Sequence, residues 1–112
     1  MTGTRVLVAC DLASYREALA EVFRQLRPNV EVFEAEKEDL DSEVGRLNPD
    51  LVVCSRATAR VENQVPNWVE LYPCCEARSV VNLRGERTTI EEIQLSDLLS
   101  VIDRTERPAY PA

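Results

Sequence analysis

Arg5-Val-Leu-Val-Ala-Cys10-Asp11 is an apolar run with no polar alternation that stops at a carboxylate and leads into Ser14-Tyr-Arg-Glu17. A strand that is apolar on both faces needs cover on both faces, so this one predicts the centre of a parallel sheet. In open parallel sheets ligands meet the crevice beyond the carboxyl ends of the central strands, where Asp11 falls. Leu51-Val-Val-Cys54 follows the breaker Asn48-Pro49-Asp50 and has the same unalternated character. It predicts a second interior strand.

Helical spacing fills the chain between these strands. Ser14 and Glu17 have the spacing of a capping box, and Leu19, Val22, Phe23 and Leu26 recur at helical intervals until Pro28 forbids continuation. A first helix over about Ser14–Arg27 follows. Val30-Glu-Val-Phe-Glu34 mixes polar and apolar residues and predicts a strand nearer the sheet edge. Leu40, Val44 and Leu47 mark a short second helix within 36–47, weakened by Gly45, which costs about 1 kcal/mol relative to Ala. The first 55 residues therefore read β-α-β-α-β.

Beyond Ser55 the pattern changes. Residues 55–67 hold at most one helical turn, so the third crossover helix is expected to be reduced or missing. Trp68-Val-Glu-Leu-Tyr72 has the aromatic and β-branched content of a strand, with Trp68 and Tyr72 expected to pack in the core or on the sheet. Ser79–Leu83 and Arg87–Ile90 flank Arg84-Gly85-Glu86 as strand, turn and strand, with Gly85 as the natural positive-φ residue. Ser96 and Asp97 open a last helix whose apolar face is Leu98, Leu99, Val101 and Ile102. The expected organisation is one domain over 1–106 and a flexible tail over 107–112, which carries two prolines.

The totals narrow the function. At 112 residues the chain fits one ordinary core, and 45% hydrophobic with 29% charged residues is a normal balance for a folded domain. Thirteen basic against twenty acidic residues give a net charge of −7, which repels phosphate backbones, so no nucleic-acid partner is expected. No apolar run is long enough for a membrane span and none follows a basic leader, so the expectation is no membrane contact and a cytoplasmic location. The chain has no His, which removes the commonest general base and the paired Ser-His and Cys-His nucleophiles. Neither an enzyme nor a resident cofactor or metal is expected. Four cysteines in such a chain are read as thiols rather than a disulfide framework.

Arg5–Asp11 with Tyr15-Arg-Glu-Ala-Leu19, together with Asn48-Pro-Asp-Leu-Val-Val-Cys-Ser55, resembles the receiver domain of bacterial response regulators. The resemblance covers roughly residues 4 to 56, half of the chain. It implies a flavodoxin-like, three-layer α/β sandwich with a parallel sheet of order 2-1-3-4-5, closed here by a C-terminal β-hairpin and helix. Receivers hold Mg²⁺ between two acids after the first strand and attack the phosphoryl group with an Asp that ends the third. In this chain the first acid position is Cys10, leaving Asp11, and the acceptor position is Ser55. The family's Ser or Thr after the fourth strand falls near Tyr72, and no Lys occurs after Lys37. The resemblance thus implies a pseudo-receiver, with the scaffold kept and the phosphorylation chemistry lost.

Other chemistry gathers at the same strand ends. Asp11 either caps the loop before the first helix or binds a cation weakly. Ser55 and Arg56 either form a solvated loop or hold an oxyanion where phosphate would sit. In the order 2-1-3-4-5, Cys10 and Cys54 end adjacent strands and Cys74 and Cys75 lie just past the fourth. Such thiols either form a zinc-binding or redox-sensitive cluster, or Cys10 and Cys54 are small core side chains in a site that no longer needs acids. The acidic run 31–43 reads as a wet helix face, and the hairpin or the last helix offers a surface for a homodimer. The expected function is signalling through contact with another protein.

Overall fold

The computed structural model describes residues 4–71 and 78–105. Strands β1 (Arg5–Ala9), β2 (Glu31–Glu34), β3 (Leu51–Cys54), β4 (Asn67–Glu70), β5 (Arg78–Leu83) and β6 (Glu86–Glu91) form one sheet of order β2-β1-β3-β4-β5-β6. Helices α1 (Ala13–Leu26), α2 (Leu40–Leu47), α3 (Ala59–Gln64) and α4 (Leu95–Thr105) complete an α/β fold. A single 3₁₀ turn, Lys37–Asp39, leads into α2.

The first four strands are parallel, with Val6 beside Val32 and Leu51, and Val52 beside Trp68. The chain steps from β1 to β2 in one direction and from β2 to β3 in the other. Right-handed crossovers then send the intervening helices to opposite faces. Side-chain packing follows that rule. On one face Val6, Val8, Val53, Val69 and Val81 pack with Leu19 and Phe23 of α1 and Leu98, Val101 and Ile102 of α4. On the other, Leu7, Ala9, Val52 and Trp68 pack with Leu40, Val44 and Leu47 of α2 and Val61 of α3. The double cover explains why β1 and β3 carry no polar alternation.

Two expectations need correction. The sheet is not parallel throughout: β5 runs antiparallel to β4, and β6 antiparallel to β5, giving a mixed sheet of six strands. A parallel return takes a crossover of about a dozen residues or more, and only residues 71–77 connect β4 to β5, so the chain reverses instead. The Ser14–Glu17 capping box does not form either. Leu12 is the N-cap of α1 and makes no side-chain cap, so Ser14 lies inside the first turn.

The remaining local readings hold with small shifts of boundary. The third crossover helix is present as α3, reduced but, at six residues, longer than the single turn expected; Thr58 caps it, its Oγ1 accepting from the Val61 N–H at 3.2 Å. Asn48 ends α2 in the left-handed region at φ 50°, which Asn tolerates better than most residues. Both hairpin turn residues have positive φ, Arg84 at 52° and Gly85 at 92°, the type I′ geometry that matches strand twist. Trp68 is 3% exposed, in the core as its composition suggested. No described helix is long and apolar enough to cross a membrane. The expected tail 107–112 lies outside the described residues.

Candidate functional site at the carboxyl ends of β1 and β3

The register places Ala9 beside Cys54, so the two central strands end level with each other. The residues that follow, Cys10-Asp11 and Ser55-Arg56, therefore share one edge of the sheet. Asp11 and Ser55 meet there directly: the Asp11 backbone N–H donates to Ser55 Oγ at 2.9 Å. The Asp11 side chain is exposed, Ser55 is half-buried and Arg56 is exposed. Arg16, one turn into α1, reaches back and donates from Nη1 to the Cys10 carbonyl at 3.3 Å.

The loop after β3 is held from several sides. The Ala57 N–H donates to Glu70 Oε2 at 2.8 Å, tying the loop to the end of β4. Thr58 Oγ1 donates to Asp41 Oδ1 at 2.6 Å while capping α3. A loop anchored to β1, β4 and α2 in this way has little freedom to rearrange around a ligand.

Alternation along adjacent strands sorts the two described thiols into different layers. Cys10 packs with the α1 and α4 side, and Cys54 with the α2 and α3 side. Cys10 is 2% exposed, and burial pushes its thiol up to about 11, helped by the negative charge of Asp11 and opposed by Arg16. Burial likewise raises the Cys54 thiol, with Glu70 adding to the effect, and Cys54 Sγ donates to the Val69 carbonyl at 3.6 Å. Held protonated by burial, neither thiol is a ready nucleophile at neutral pH. Cys74, Cys75 and Tyr72 lie outside the described residues. Among the described residues no group of three or more Cys, Asp or Glu side chains is arranged to hold a metal ion.

A concavity at the opposite end of the sheet was not anticipated from the sequence. A cleft of about 510 Å³ is lined by Glu62, Trp68, Asn82, Arg84 and Arg87 among others. The Arg87 guanidinium lies 5.1 Å from the Trp68 ring centroid, and its Nη2 is 2.9 Å from Glu62 Oε1. The hairpin turn is fastened beside it, because the Arg84 N–H donates to Asn67 Oδ1 and to the Pro66 carbonyl, both at 3.0 Å. These partners are far apart in sequence, and only the β4–β5–β6 register brings them together. Comparison of the chain with known protein families, curated proteins and solved structures finds no match.

Proposed function

We propose that the chain is a non-catalytic, receiver-like signalling domain that acts in the cytoplasm by binding another protein and by self-association. In this reading it belongs functionally with two-component regulation but takes no phosphate by the aspartate mechanism. The observation that carries it is the Asp11–Ser55 contact. Where phosphoryl transfer needs an attacking carboxylate beside a caged Mg²⁺, an alcohol instead accepts a backbone hydrogen bond, and of the residues that directly follow β1 and β3, Cys10, Asp11, Ser55 and Arg56, Asp11 alone is an acid. The parallel β2-β1-β3-β4 core supports the scaffold half of the proposal.

Incubation with acetyl phosphate and Mg²⁺, followed by intact-mass and peptide analysis, tests it. An unchanged mass is expected, and a stable phosphoryl adduct on Ser55 or Asp11 overturns the proposal. The competing reading is a thiol-based redox or zinc sensor using Cys10, Cys54, Cys74 and Cys75. It has less support, because the Cys10 and Cys54 thiols are buried, protonated at neutral pH and in separate layers.

A further inference from the structure

We propose that β6 pairs antiparallel with β6 of a second copy, about a two-fold axis at Thr89, joining two sheets into one. The inference rests on the self-association in the functional reading above and gives it a surface and a register.

β6 is the outer strand of the sheet, and every residue in it is exposed except the half-buried Ile90. The hairpin closes on the pair Leu83–Glu86 around a two-residue turn, which makes that pair a hydrogen-bonded one. Glu86, Thr88 and Ile90 therefore spend their backbone groups on β5. Arg87, Thr89 and Glu91 point theirs outward, a row of donors and acceptors that an added strand would satisfy.

Side-chain charge then selects among the symmetric registers. With Thr89 opposite its own copy, each Arg87 faces the other chain's Glu91, so two opposite-charge pairs form on one face of the joined sheet. Thr88 faces Ile90 on the other. Centring the axis one residue earlier sets Glu86 against Ile90 and Arg87 against Thr89 and gains no charge pair. The ladder also ends cleanly beyond Glu91, because Glu92 turns away with φ 51° before it meets Glu86 of the other copy. Arg87 already holds one orientation over Trp68 and uses Nη2 for Glu62.

Light scattering and sedimentation of the full chain in about 0.15 M salt, where the repulsion between two chains of charge −7 is screened beyond roughly 8 Å, provide the test. A mass of twice 12.7 kDa at micromolar concentration is expected. Thr89→Pro removes an outward N–H that no described residue of the single chain takes up, so the monomer stays folded by circular dichroism while the dimer is lost. Arg87→Glu opposes like charges at both pairs and weakens association by about tenfold, the equivalent of 1.4 kcal/mol. Combining it with Glu91→Arg restores the dimer. A monomeric wild type, a dimer that survives Thr89→Pro, or a charge swap that fails to rescue overturns the proposal. None of these results bears on whether the domain accepts phosphate, which the acetyl phosphate experiment decides separately.

Discussion

Strands β1 and β3 lie under helices on both faces and, apart from the half-buried Arg5, are fully buried, whereas β6, in the same sheet, leaves all but Ile90 exposed. The first pair belongs to the amino-terminal β-α-β-α-β half of the chain. The second belongs to the half that follows it. At the carboxyl ends of β1, β3 and β4, Cys10 is packed in the core, and Ser55 and Glu70 accept internal hydrogen bonds. The other half keeps backbone groups on its outer strand that no described strand takes up. The proposed contact between copies therefore uses the hairpin.

The steepest contrast between the halves is in stability. Phe23→Ala, under β1 and β2, is expected to cost about 3–5 kcal/mol in urea unfolding, while Thr89→Ala on β6 stays within about 0.5 kcal/mol. Similar costs at the two positions would erase the distinction. The next effect is electrostatic and confined to the buried half. Cys10 binds its proton more tightly when folded than its ordinary value of 9.0 allows, so its contribution is whole below pH 9 and is lost as pH rises from 9 to about 11. The loss amounts to about 2–3 kcal/mol. Cys10→Ala should remove that part of the alkaline slope in pH-dependent denaturation curves, and an unchanged slope would show that the thiol is not held neutral by the fold.

Smaller changes sharpen the picture of the strand ends. Ser55→Ala deletes the acceptor of the Asp11 N–H and is expected to cost about 0.5–1.5 kcal/mol, with faster hydrogen exchange at the Asp11 amide. An amide that exchanges equally fast in both proteins would mean the bond contributes nothing. Gly45→Ala on the exposed side of α2 should stabilise by about 0.5–1 kcal/mol. The added methyl approaches only Arg60 Nη1, at 3.3 Å, and that flexible end gives way.

How far the sequence reveals the fold also differs between the halves. Leu51–Cys54 is delimited correctly because an apolar run between Asp50 and Ser55 has one reasonable assignment, and the meeting of Asp11 with Ser55 follows once both strands are known to be central and parallel. The direction of β5 is harder, because Ser79–Leu83 looks the same whether it runs parallel or antiparallel. Only the length of the connection from Glu70 decides it. Arg84 in the left-handed region is invisible to propensity, since Asn, Asp or Gly is the usual signal there. Likewise, nothing in the spacing of Glu62, Trp68 and Arg87 announces that they stack. Ser14 misleads for a local reason: its capping spacing is real, but helix α1 begins one residue earlier, at Ala13.

The chain contains one tryptophan, and the guanidinium above it belongs to the outermost strand. Indole emission shifts when a nearby charge moves, so the protein carries an intrinsic optical gauge at the place where its two halves meet. Fraying of the hairpin that moves Arg87 off the ring would change the colour of that emission, while a disturbance confined to the strand ends around Asp11 would leave it unchanged.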